Sequence, residues 1–126
     1  MIALRRGFTL IELMVVMAII AVLLTIAAPR YFNHLDRARE ATLRQTLAVV
    51  RDAIDKFHGD TGAYPDSIED LVARRYLRAV PVDPITDSAQ TWVLLPPPAA
   101  NGKGKLWDIR SGAEGNGAGG TPYAEW

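Results

Sequence analysis

The chain has 126 residues, with 14 lysines and arginines against 14 aspartates and glutamates, and it contains no cysteine. Balanced charge gives no pull toward nucleic acid, and the lack of thiols excludes disulfide staples, zinc-thiolate sites and cysteine nucleophiles. The length favours one domain with attachments, and with an apolar N-terminal run set aside too few residues remain for a large core.

Residues 1–7 read MIALRRG, a short basic leader. Phe8 to Ala28 follows as 21 residues with a single charge, Glu12, long enough to cross a hydrocarbon core as a helix. A secretory signal peptide has a shorter apolar region, roughly 7 to 15 residues, ending in a small-residue cleavage site. Here the basic leader stops at Gly7, before the apolar run begins. The positive leader favours a cytoplasmic N-terminus with the rest of the chain outside, a bias that Arg30 at the far end weakens without reversing. A carboxylate at the centre of a spanning helix costs about 2.5 to 3.5 kcal/mol, and less near an end. Glu12 therefore has two readings: a functional carboxylate with a partner, or a hydrated one close to the interface.

The stretch R-G-F-T-L-I-E, from Arg6 to Glu12, resembles the type III signal of type IV pilins and type II secretion pseudopilins. Gly7, Phe8 and Glu12 occupy the motif's glycine, aromatic and acidic positions. The resemblance implies that a membrane aspartyl peptidase, the prepilin peptidase, cuts after Gly7 and then methylates the new amine of Phe8. It also implies that Glu12 of one subunit pairs with the Phe8 amine of the next, giving a homopolymer its register and cohesion. Loss of Arg5 and Arg6 would move the formal charge from zero to −2, the new amine aside.

Residues 29–58 are predicted to continue the helix beyond the membrane segment 8–28. Pro29 falls just after the apolar run, where proline removes a hydrogen bond and kinks a helix, and the resemblance implies a kink there too. Beyond it Phe32, Leu35, Leu43, Leu47, Val50, Ile54 and Phe57 recur mostly at three- and four-residue steps, with Ala38 or Arg39 in the gap. Arg37, Glu40, Arg44, Arg51, Asp52, Asp55 and Lys56 are expected mostly on other faces. Gly59 is the expected stop. Sustained heptads are lacking, so packing on the chain's own head is favoured over a coiled-coil dimer. His34 and His58 read as surface residues.

Residues 59–126 hold seven of the eight prolines and nine of the ten glycines, so this head is turn-rich. A short helix is predicted near Ser67 to Arg75, started by capping-box spacing of Asp66 with Glu69 and burying Ile68, Leu71 and Val72. Pro81-Val82-Asp83-Pro84 reads as a turn. Thr91 to Leu95 and Gly104 to Ile109 read as strands, joined by a loop from Pro96 to Gly102. The expected class is α+β and pilin-like: a long N-terminal helix, transmembrane in its first half, packed against a small antiparallel sheet.

Gly62-Ala63-Tyr64-Pro65, then Leu71 with Tyr76-Leu77, then Pro81-Val82-Asp83-Pro84, then the glycine-rich loop from Ser111 to Gly120, together resemble the major (G-type) pseudopilin of type II secretion. With the leader, the resemblance spans nearly the whole chain. It implies a periplasmic pseudopilus subunit anchored in the bacterial inner membrane. Its partners would be the prepilin peptidase, minor pseudopilins and an inner-membrane assembly platform, with no nucleic acid. It further implies calcium in the glycine-rich loop, for which Asp108, Ser111, Glu114 and Asn116 offer oxygens. Here Glu114 stands where the family usually has aspartate, and a second carboxylate is missing or displaced to Glu125. The competing reading is a metal-free loop pinned by Tyr123 and Trp126.

Enzyme chemistry finds no support, because metalloprotease, P-loop and dinucleotide motifs are all lacking. The glycines from Gly115 to Gly120 have neither the lysine nor the following helix that a phosphate site needs. One rival is a type IV pilin or minor pilin of a surface fibre, although those heads often carry a C-terminal disulfide that this chain cannot form. The other is a signal-anchored binding domain that keeps its leader and never polymerises.

Overall fold

The computed structural model describes residues 5–98 and 102–126. Met1 to Leu4 of the leader, and residues 99–101 of the loop expected between Pro96 and Gly102, lie outside the described residues. The elements are α1 (Leu10–Thr61), α2 (Ile68–Ala73), β1 (Val93–Leu95), β2 (Asp108–Arg110) and a 3₁₀ turn (Tyr123–Glu125). The chain forms two compact units, one ending at Asp36 and the other running from Arg37 to Trp126.

In the first unit α1 is long and apolar enough to cross a membrane. Its large side chains, among them Leu10, Ile11, Met14, Met17, Leu23 and Ile26, are exposed. Pro29 sits inside α1 without ending it. Tyr31 and Phe32 meet edge to face, and Phe32 is 60% exposed. The apolar stripe expected from Phe32 onward therefore becomes a core only later in the helix.

In the second unit Leu43, Leu47, Val50, Ala53, Ile54 and Phe57 line one face of α1. The alternating steps of four and three from Leu43 through Leu47, Val50 and Ile54 to Phe57, with Ala53 beside Ile54, keep them on a single helical face. They pack on Ile68 and Leu71 of α2 and on Trp92, Leu106 and Ile109 around the sheet. Each such side chain contributes roughly 1.5 to 3 kcal/mol by leaving water. Without a disulfide, this cluster and the buried polar links described below hold the head together.

The ends of the elements differ in detail from expectation. Helix α1 passes Gly59 and stops at Gly62, whose N–H donates to the His58 carbonyl at 2.8 Å and whose φ of +76° is the left-handed turn glycine tolerates. Helix α2 is capped by Ser67, whose hydroxyl accepts from the Asp70 N–H at 3.2 Å. The cap thus falls one residue after Asp66, and Asp70 instead accepts from the Asp66 N–H. Val72 is half-buried while Ile68 and Leu71 are fully buried. The strands are shorter than predicted and pair antiparallel, Val93 with Arg110 and Leu95 with Asp108. His58 is half-buried, its ring stacked on Tyr64 at 4.2 Å between centroids. Tyr76 donates to Asp60 at 2.6 Å, and that bond holds its hydroxyl pKa above the ordinary value.

Candidate functional site

Two groups of side chains carry the chemistry, one at each end of the sequence. At the first, Gly7 and Phe8 are exposed and precede the helix. Thr9 and Glu12 form a reciprocal cap: the Glu12 N–H donates to Thr9 Oγ1, and the Thr9 N–H donates to Glu12 Oε2, each at 3.2 Å. Leu13 donates to the Thr9 carbonyl, which opens the helical ladder. This is the capping box, which satisfies helix-start donors otherwise left without partners. It also sets an anion at the positive end of the helix dipole, worth about 0.3 to 1 kcal/mol. The pattern Thr-x-x-Glu before an apolar run is its sequence signature. Reading Glu12 only as an intramembrane charge overlooked it.

The second group lies at the glycine-rich loop. Glu40 is 6% exposed, so it turns inward rather than to the solvent face expected for it. Its Oε1 accepts from the Ala118 N–H at 2.8 Å and from the Tyr123 hydroxyl at 3.0 Å. One turn further, the Arg44 guanidinium lies over the Trp126 ring, 4.5 Å from its centroid. Arg51 Nε pairs with Asp108 Oδ1 at 2.8 Å, and its Nη2 donates to the main-chain oxygens of Ile109 at 3.1 Å and Trp126 at 2.6 Å. Continuing the stripe of Leu43 and Leu47 three residues backward lands on Glu40, a signal available in the sequence.

Asp83 of the Pro-Val-Asp-Pro turn is fully buried. Its Oδ1 accepts from the N–H groups of Ile85 at 2.9 Å and Thr86 at 3.4 Å. Its Oδ2 accepts from the Ser111 hydroxyl at 2.5 Å, and Ser111 in turn accepts from the Ala113 N–H. A turn predicted only as a turn is thus tied to the start of the glycine-rich loop.

The four oxygens suggested for calcium are not gathered as a set. Asp108 faces a guanidinium and Ser111 is committed to Asp83, while Glu114 and Asn116 are exposed. Calcium takes six to eight oxygens, with carboxylates prominent among them. Among the described residues no three histidine, aspartate or glutamate side chains converge. These donors do not fit the ion.

Comparison with known proteins agrees with the first group. Residues 2–28 match the family described as the prokaryotic N-terminal methylation motif. The type II secretion system core protein G of Pseudomonas aeruginosa is 30% identical over 96 residues, covering 64% of this chain and 68% of that protein. The prepilin peptidase-dependent protein D of Escherichia coli is 49% identical over 51 residues, 40% of this chain and 35% of that protein. The type IV major fimbrial protein FimA of Dichelobacter nodosus is 44% identical over 53 residues, 42% of this chain and 34% of that protein. The chain thus spans about a third of the length of the latter two. No solved structure matches. The match to the Pseudomonas protein covers more of the chain than the leader and α1 together hold, so it takes in part of the head.

Proposed function

The chain belongs to the family of the type II secretion core protein G, and from that membership we propose that it is a pseudopilin, a structural subunit of the filament that drives protein export by type II secretion. The match extending from the helix into the head is the observation that carries this reading. The subunit is anchored by the first part of α1, with its N-terminus cytoplasmic and its head in the periplasm. It is trimmed after Gly7 and methylated on Phe8 by the prepilin peptidase. It then polymerises on an inner-membrane assembly platform together with minor pseudopilins. Pro29 supplies a bend in the helix, and the protein has no catalytic role of its own.

Energetics favour a pairing role for Glu12. A carboxylate in the bilayer costs about 2.5 to 3.5 kcal/mol at the centre and less toward an end, against a helix-dipole contact that is typically worth about 0.3 to 1 kcal/mol. The capping box engages Oε2, and among the described residues Oε1 has no hydrogen-bond partner. A cation from a neighbouring subunit, the Phe8 amine, meets the remaining need and neutralises its own buried charge at the same time.

Analysis of the mature N-terminus tests the reading directly. Protein purified from the native membrane should begin at N-methylated Phe8. A mature chain that still begins at Met1 would remove the cationic partner and favour the signal-anchored alternative. Similarity to the Dichelobacter fimbrial protein supports a second reading, a pilin of a surface fibre. Long fibres outside the cell at native expression would favour it over a periplasmic filament.

A further inference from the structure

We infer that Glu40 holds the glycine-rich loop of this chain, and Arg51 the residues on either side of it, by side-chain bonds in place of the calcium that the resemblance implied, so that the head folds independently of the ion. Three observations meet here. Of the side chains that would serve a cation two are engaged and two exposed: Arg51 binds Oδ1 of Asp108, the Asp83 carboxylate holds the Ser111 hydroxyl, and Glu114 and Asn116 face solvent. A divalent ion at Asp108 would also have to sit beside a guanidinium, and like charges at that range repel.

Glu40 supplies what a loop-bound cation would otherwise provide, a fixed point from which the loop hangs. One buried oxygen collects a main-chain donor from near the end of the loop and the Tyr123 hydroxyl from the 3₁₀ turn that follows it. A buried carboxylate persists only when hydrogen-bonded or paired, and these two donors meet that requirement.

The local sequence is shaped for this contact. Ala118 lies between Gly117 and Gly119, so the main chain can come up to the helix. A β-carbon at Gly117 would lie 2.3 Å from a ring carbon of Trp126, so any other residue there would displace the ring. Trp126 is itself covered by Arg44 and bonded through its main-chain oxygen to Arg51. Glu40, Arg44 and Arg51 thus grip the loop along one side of α1. A head of any filament, or of none, would hold its loop this way.

Hydrogen exchange on the full chain in detergent micelles tests the tether. In the wild type, protection of residues 112–126 should be the same in chelator and in millimolar calcium. With Glu40→Ala the amides around Ala118 should exchange about tenfold faster or more, the effect of losing a hydrogen bond to a charged group, while α2 and the strands keep their protection. Tyr123→Phe keeps the ring and removes one donor. It should accelerate the same amides by a smaller factor, and it decides the matter if Glu40→Ala does not fold. Protection that rises with calcium, or loop exchange unchanged in both variants, would overturn the proposal.

Discussion

Glu12→Ala should still insert and be trimmed, while the yield of sedimentable filaments falls about a hundredfold or more, since removing one member of a buried charge pair costs about 3 to 5 kcal/mol and each 1.4 kcal/mol is tenfold. On the proposed pairing, deleting the carboxylate would strand the Phe8 amine of the adjacent subunit in a medium that cannot hydrate it. The capping box allows a sharper test than alanine alone. Glu12→Gln keeps an oxygen for the Thr9 N–H, since glutamine serves in capping boxes as glutamate does, but it carries no charge. It should fail to assemble nearly as badly as alanine. Thr9→Val removes the other half of the cap, the hydroxyl that accepts from the Glu12 N–H, and leaves the charge. It should assemble within a few-fold of wild type, because a lost cap costs only about 1 kcal/mol. The reverse ranking, with glutamine competent and valine defective, would move the role of Glu12 from charge pairing to starting the helix.

Asp83→Ala should lower head stability by about 3 kcal/mol, because a buried acceptor shared by several donors is removed and those donors are left unsatisfied. Domains of this kind are stable by only about 5 to 15 kcal/mol, so the loss is a large share of the total for a head at the low end of that range. Alanine leaves the Ser111 hydroxyl and the N–H groups of Ile85 and Thr86 without their shared acceptor. Asp83→Asn keeps an acceptor for the two N–H groups and reverses the polarity only toward Ser111. Its loss should be smaller, about 1 to 2 kcal/mol. Urea unfolding of the full chain in detergent, followed by tryptophan fluorescence, measures both. An alanine variant within 1 kcal/mol of wild type would mean that the turn and the glycine-rich loop are held by something else.

Much of this architecture is legible from periodicity. The unbroken apolar run and the Leu43 to Phe57 stripe each obey a local rule that the fold keeps, and the α+β pairing of a long helix with a two-stranded sheet follows from them. Glu40, Arg51 and Asp83 are harder to read, for one shared reason. A charged side chain is placed on the solvent face by default, and only a distant donor reverses that. Glu40 needs Ala118 and Tyr123, Arg51 needs Asp108, and Asp83 needs Ser111. No window of ten or fifteen residues contains both members of any of these pairs. The shifted cap of α2 is a closer miss: Asp66 and Ser67 are both good caps, and the position of Asp70 decides in favour of serine.

More than half of the head's buried apolar cluster is contributed by α1, from Leu43 to Phe57. That stripe leaves the ribosome well before Leu106 and Ile109, the residues that cover it. During biogenesis the nascent chain therefore passes through an interval in which a greasy helical face lacks its cover. Long-range closure of this kind is slow and prone to aggregation. A chaperone that binds exposed apolar helices would shield that face until translation reaches the second strand.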